Sequence, residues 1–204
     1  VKYDFYRKIQ YFKMAKNSNY WKKRQLKASA HNISLFRFLG HYGFNCKNKN
    51  ILDVGCGEGA DLIEFRKRGS NVYGVDINIP SLTRLQKIIG KSKIKLNDMS
   101  NKIIPFSIKF NLIYSIDFIS YLSEQEINSH IKSSHKSLKK NGIFLFRYIE
   151  EDLLTKKEIK NKYNFEKNYI KKTFSEKDNP IKFYNMQFYE EILNDNGFKI
   201  KGTK

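Results

Sequence analysis

Cysteine is scarce. The 204 residues hold two, Cys46 and Cys56, too few for a disulfide framework or a four-ligand metal site. Long apolar runs are missing as well. No stretch of about 18 apolar residues is available to span a bilayer. The first residues, VKYDFYRKIQYFKMAK, lack the continuous apolar core of a signal peptide, so the expectation is a cytoplasmic protein. Arginine is the third shortage, with seven residues in a Lys+Arg total of 39. The 20 acids leave a net charge of +19, which ordinarily points to nucleic acid or another polyanion. Lysine without clustered arginine lacks the bidentate recognition of phosphates and bases, however. The same chain is rich in asparagine and isoleucine, which share AT-rich codons with lysine, so the excess is read as composition on solvated faces. A chain of this length suits one domain with decorations.

What the chain does have is concentrated in Ile51 to Leu62, ILDVGCGEGADL. Ile51, Leu52 and Val54 read as the end of a buried strand. Gly55, Gly57 and Gly59 then turn the backbone into an apolar-periodic helix carrying Leu62, Ile63 and Phe65. Glycines suit such a turn because they accept positive φ and remove the Cβ atoms that would keep a ligand off the backbone. The helix aims unpaired N–H groups and its dipole at whatever binds there. Asp53 comes just before the first glycine, where a phosphate would not profit from it. A second apolar strand, Val72 to Val75, ends in Asp76, at the spacing where a nucleotide-binding βαβ unit holds ribose hydroxyls. A third, Ile94 to Asn97, is followed by Asp98. Strand ends carrying Asp suit a ligand with hydroxyls, an amino group and a positive centre. From Asn50 to Arg147 strands near 51–54, 72–75, 94–97, 110–115 and 143–148 alternate with helices near 59–68, 81–89 and 124–139. That alternation predicts an α/β fold, a doubly wound and mostly parallel sheet covered on both faces.

These segments resemble the class I S-adenosylmethionine-dependent methyltransferases. ILDVGCGEGADL is similar to their first motif, VYGVDINIPSL to the second strand and its acid, and KLNDMS to the third. FNLIYSIDFISYL is similar to the fourth and LKKNGIFLFRY to the fifth, where other members commonly have Lys-Pro-Gly-Gly. The glycine pattern departs from the G-x-G-x-x-G of nicotinamide-binding folds, since the third glycine comes one residue early. The resemblance implies a Rossmann-like methyltransferase fold with S-adenosyl-L-methionine as cofactor. It places Gly55 and Gly57 against the methionine part, Asp53 near the amino group and Asp76 on the ribose hydroxyls. Ile77 would lie against the adenine face, Asp98 near the adenine amino group with Met99 beside it, and Ser115 would join this set from the end of the fourth strand. Acids supply acceptors only, so each must face a donor.

Residues 1–49 are expected to form an N-terminal helical extension. Trp21, Leu26, Ile33, Phe36 and Leu39 fall at helical spacing over Tyr20 to Leu39, with Gly40 and Gly43 as stops. In the resembling family such a helix lies over the active-site mouth, which makes Tyr20, Trp21 and Arg24 candidates for substrate contact. Residues 50–204 would form the cofactor-binding domain, with an insert at about 150–180. Phe188 to Leu193 reads as a final helix, Gly197 as its stop and Phe198 to Ile200 as the start of a further strand.

Methyl transfer is an in-line displacement driven largely by positioning, and a base is needed only where the acceptor must lose a proton. Candidates for that role are Asp117 after the fourth strand, and Tyr148 and Glu150 after the fifth. His130 and His135 fall in a helix and are read as structural or solvent-facing. No metal cluster is visible in the sequence. The place where amino-directed nucleic-acid enzymes of this fold carry Asp/Asn-Pro-Pro-Tyr/Phe reads Ser115-Ile116-Asp117-Phe118, and no cysteine is there for cytosine-C5 chemistry. The layout is similar to bacterial methyltransferases acting on small molecules or cell-surface sugars. The expected acceptor is therefore an oxygen or nitrogen of a small molecule or saccharide. An RNA methyltransferase and a non-catalytic binding subunit are the alternatives, and a homodimer is a candidate assembly.

Overall fold

The structure is a computed structural model, and it describes residues 32–97, 103–148 and 184–202. Five strands form one sheet: β1 (Asn50–Val54), β2 (Asn71–Asp76), β3 (Ile94–Leu96), β4 (Phe110–Ile116) and β5 (Leu138–Arg147). Their order is β3-β2-β1-β4-β5 and every neighbouring pair is parallel. The order reverses on the two sides of β1, which puts the switch point of the sheet between β1 and β4, where such folds bind ligands.

Among the described residues five α-helices accompany it: α1 (Ile33–His41), α2 (Ala60–Lys67), α3 (Ile79–Ile89), α4 (Glu124–Ser137) and α5 (Met186–Asp195). Four of these five begin on a side-chain cap, with Asn32, Asn78, Ser123 and Asn185 each accepting from an amide of the first turn. At α4 the cap is a full box, because Glu126 also reaches back to the Ser123 amide. Helix α2 differs: its cap is Gly59, which has no side chain to meet the first amides.

Alternation along the strands divides the core. Ile51, Leu112 and Tyr114 face α1, α2 and α3, meeting Leu35, Leu39, Leu62, Phe65 and Leu85. Leu52, Val54, Val75 and Ile113 face the other way with Phe110 and Ile104. A third cluster, built on Ile119, Ile127, Ile131 and Tyr189, fixes α5 against α4. Helix α1 thus shares a core with β1 and α2, across the boundary expected at 49/50.

Three boundaries differ from the sequence expectation. Helix α1 runs through Gly40 to His41, and the chain turns at Gly43. Helix α4 stops at Ser137 and β5 begins at once, not at 143. Pairing jumps from Phe110↔Leu138 to Leu112↔Ile143, so residues 139–142 bulge out of the ladder, with Asn141 left-handed at φ 61°. Phe198 to Ile200 is not a strand. Phe198 instead packs its ring on His135 and Phe144, at 5.0 and 5.5 Å between centroids. Among the described residues β5 is therefore an edge of the sheet.

Candidate active site

The glycine turn after β1 is the frame of the site. Gly55 and Cys56 both donate to the Val75 carbonyl, at 2.9 and 3.1 Å, which ties the turn to the end of β2. Gly57 and Gly59 are left-handed at φ 49° and 72°, a region costly for residues with a Cβ. A Cβ on Gly59 would also lie 2.4 Å from Leu85 of α3, whereas one on Gly57 would meet nothing within 4 Å. Asp76 locks this geometry. Its Oδ2 accepts from the Gly57 amide and its Oδ1 from the Asn78 amide, each at 2.8 Å. Burial pushes the Asp76 carboxyl upward, against the lowering effect of these amides.

Beside the turn opens a cleft of about 290 Å³, and Asp53, Glu58, Asp61, Asp117 and Arg147 are among its lining residues. Asp53, at the end of β1, is 6% exposed, and burial followed by the charge of Asp61 holds its carboxyl well above the usual range. Asp61, in the first turn of α2, accepts from the Asn32 amide at 2.5 Å and so fixes the start of α1 at the cleft edge. Glu58 accepts from Ser81 Oγ at 3.0 Å and from Arg84 Nε at 3.2 Å. Asp117 holds a left-handed φ of 57°, and both its oxygens meet the Arg147 fork, Nε to Oδ1 at 2.9 Å and Nη2 to Oδ2 at 2.5 Å. That pair bridges the ends of β4 and β5.

The cleft is thus acidic in a strongly basic chain. Among the described residues several cations stand at the other end of the sheet: Lys49, Lys93 and Lys109 come just before β1, β3 and β4. Lys139 and Lys140 lie in the β5 bulge, and Arg66, Lys67 and Lys136 in the last turns of α2 and α4. There they complement the negative ends of the helices.

Of the residues singled out in the sequence, Asp53, Gly55 and Asp117 line the cleft, whereas Gly57 and Asp76, hydrogen-bonded to each other in the adjoining turn, are not among its lining residues. Ile77, directly after Asp76, is 68% exposed. The Ser115 side chain differs from expectation. It is fully buried on the other face of β4, with Oγ 2.9 Å from His130 Nε2, and Ser115 is not among the residues that line the cleft. Tyr148 packs its ring 4.4 Å from Tyr189 of α5. Tyr20, Trp21, Arg24, Asp98, Met99 and Glu150 lie outside the described residues. His130 is buried within α4, and burial pushes its imidazole down to about 4. Sequence reasoning passed over Glu58, Asp61 and Arg147. Glu58 and Asp61 flank the third glycine within the same motif. Arg147 ends β5 as Asp117 follows β4, a signal of position alone.

Comparison with known proteins fits this geometry. The profile of a family described as a methyltransferase domain matches residues 20–201. The chain is 28% identical over 109 residues to the ubiquinone biosynthesis O-methyltransferase of Pelagibacter ubique, covering 52% of this chain and 45% of that protein. It is 33% identical over 104 residues to the phosphoethanolamine N-methyltransferase of Plasmodium falciparum, covering 48% and 38%. The chain therefore spans less than half the length of these two relatives. Its fold is similar to that of magnesium protoporphyrin IX methyltransferase from Synechocystis PCC 6803 with bound SAH. The TM-score there is 0.66 at 16% identity, covering 94% of this chain and 89% of that one. Among the described residues no helix is long and apolar enough to cross a membrane. With a profile that spans most of its length and a parallel sheet whose acid-lined glycine turn sits at the switch point, the chain belongs to the methyltransferase-domain family, the class I enzymes that take S-adenosyl-L-methionine as cofactor.

Proposed function

We propose that the protein transfers a methyl group to an oxygen or nitrogen of a small-molecule acceptor. The observation that carries this is the carboxylate-lined cleft at the switch point, beside a turn whose amide is already held by Asp76. When bound, the cofactor supplies an electrophilic methyl on a positively charged sulfur. Each oxygen of Asp76 spends one lone-pair site on a backbone amide and keeps another, so the carboxylate is set to accept from two neighbouring hydroxyls. Asp53 faces the ammonium, and the uncapped amides of α2 remain for a carboxylate. Ile77 offers an exposed apolar surface to a planar base; Asp98 and Met99, outside the described residues, stay candidates for the same base on the family resemblance alone.

Asp117 takes a different part from the general base its position first suggested. With both oxygens on Arg147, it shapes the acceptor side of the mouth together with that guanidinium. For a hydroxyl acceptor, Tyr148 and Glu150 are the remaining base candidates. Small-molecule acceptors are favoured by the relatives, which are named for ubiquinone biosynthesis and for phosphoethanolamine. A saccharide acceptor is a finer form of the same reading. Among the described residues charge speaks against RNA: a polyanion approaching the cleft meets Asp53, Glu58, Asp61 and Asp117, with Arg147 paired to Asp117, while the lysines named above stand at the opposite end.

The test is incorporation of labelled methyl from S-adenosylmethionine into fractionated cell extract, with small molecules, glycans and RNA separated afterwards. Label in the small-molecule or glycan fraction supports the proposal. Label confined to RNA, or no binding of cofactor by calorimetry, overturns it.

A further inference from the structure

We infer that Tyr114 is a positioning residue for the ammonium end of the cofactor, acting by donating its hydroxyl hydrogen to Asp53. The inference rests on the methyltransferase reading of the cleft. In the parallel pairing of β1 with β4, Asp53 lies directly beside Tyr114, and in the pairing with β2 it lies beside Gly74. Side-by-side residues of parallel strands share a face, so Asp53 and Tyr114 both leave the sheet towards α1 and α2. On the Gly74 side there is no side chain to meet Asp53. The phenol of Tyr114 is therefore its polar neighbour within the sheet.

Tyr114 is fully buried, its ring 5.6 Å from that of Phe65, and its hydroxyl, which meets no other hydrogen-bond partner among the described residues, interacts with the Asp53 carboxyl. A purely structural position of this shape would be filled as well by phenylalanine, so a buried hydroxyl whose one acceptor is the Asp53 carboxyl points to a role at that carboxyl. The groups around it are Asp53, Asp61 and Cys56, and Asp53 in turn faces Asp61 of α2 and Asp76 of β2. Two further carboxylates near it disfavour a charged Asp53 when nothing is bound. A cation at the cleft floor reverses this: the charged Asp53 carboxylate gives one oxygen to the ammonium and takes the Tyr114 O–H on the other. The hydroxyl thereby fixes the carboxylate's rotation from beneath the cleft floor, without touching the ligand.

The test is Tyr114→Phe, which keeps the ring, read in two ways. In the empty protein, thermal midpoints of parent and variant are measured from pH 5 to pH 8.5. A hydroxyl that stabilises charged Asp53 makes the variant equal to the parent at low pH and progressively less stable as pH rises, and Asp53→Asn abolishes that divergence. In calorimetry, S-adenosylhomocysteine binds the variant about tenfold more weakly at pH 7.5, as loss of a bond to a charged group requires. Its pH midpoint for binding moves upward, again only where Asp53 is present. A parallel pH profile for the empty proteins, or a loss of affinity that persists unchanged in the Asp53→Asn background, overturns the inference. A parent protein that binds no S-adenosylhomocysteine would overturn the cofactor reading, and the empty-protein profiles would report on the Tyr114–Asp53 coupling separately.

Discussion

Replacing Asp76 by alanine separates binding from folding. The carboxylate accepts from the Gly57 and Asn78 amides, each at 2.8 Å, and presents its two remaining lone-pair sites to the ligand. If both sites receive ribose hydroxyls, the variant loses two hydrogen bonds to a charged group, about 1.5–3 kcal/mol each. That is about 3–6 kcal/mol, or roughly a hundredfold to ten-thousandfold in affinity at 1.4 kcal/mol per decade. Stability changes less, because two opposing effects meet at the same atom. The two amides lose their acceptor, while the cost of burying the carboxylate, expressed in its upward shift, disappears. A net loss of about 1–2 kcal/mol is expected, and a domain of this size loses about 2–4 °C in midpoint for each kcal/mol. Asp76→Asn should fall between parent and alanine, since its amide places a donor where one of the two N–H groups needs an acceptor. Calorimetry with S-adenosylhomocysteine and a thermal melt of the empty protein read the two effects. Weakening of less than about threefold in Asp76→Ala, in a protein that melts as the parent does, would refute the assignment of its free lone pairs to the ligand.

Gly74→Ala tests the packing beneath the cleft: the new Cβ would lie 2.8 Å from both Cys56 Sγ and Leu62 Cδ1, in a fully packed layer. Overpacking of this kind costs about 1–3 kcal/mol, and denaturant melts should show Cys56→Ala recovering part of that loss in the double variant. Arg147→Ala removes the partner of a partly exposed carboxylate, so stability should change by no more than about 1 kcal/mol. Affinity for S-adenosylhomocysteine should hold while KM for the acceptor rises; the reverse pattern would place Arg147 on the cofactor side. His130 sets the acid limb of stability. Its imidazole is pushed down to about 4 by burial from an ordinary value near 6.5, so its neutral form contributes fully above pH 6.5 and that contribution, about 3 kcal/mol, is lost as pH falls through this window. His130→Gln should flatten the fall in thermal midpoint between pH 6.5 and 4.

The features legible in the sequence were those written locally. Strand ends carrying Asp, three glycines in a turn and apolar periodicity after them define β1, α2 and β2 without reference to the rest of the chain, and a βαβ unit then constrains where they meet. What escaped depends on lateral pairing. The family resemblance puts Ser115, near the end of β4, at the ligand, but alternation makes every second residue face away. Asp53 pairs with Tyr114, so the cleft side of β4 carries Tyr114 and Ile116, and Ser115 falls on the α4 side with His130. One residue of phase separates the two readings, and nothing within the β4 segment supplies it. The same holds for Arg147, whose meeting with Asp117 follows from β5 being the neighbour of β4, and for Asp61, whose charge matters because α2 folds it over β1. The β5 boundary was hidden for another reason. A bulge of residues 139–142 interrupts the ladder, and a Cβ on Gly142 would press on the Lys139 and Phe110 carbonyls at 2.9 and 3.0 Å, so the glycine marks a close approach inside a strand and not its start.

The distribution of charge follows from the same topology and bears on what the site can admit. In a parallel sheet covered by helices, strand C-termini and helix N-termini gather at one pole, and helix C-termini at the other. Cations at the second pole relieve the negative helix ends, which gives Arg66, Lys67 and Lys136 a stabilising place irrespective of any partner. At the first pole the helix ends are positive, and the acids Asp61 and Glu58 sit against them. Yet α2 has a glycine with no capping side chain at its N-cap and Asp53 is buried among other carboxylates, an arrangement that stability alone does not favour. A cleft that concentrates negative charge at such a cost in a chain of net charge +19 is built for a cation with hydrogen-bond donors. The energy withheld from the empty fold at Asp53 becomes available to binding when such a cation arrives.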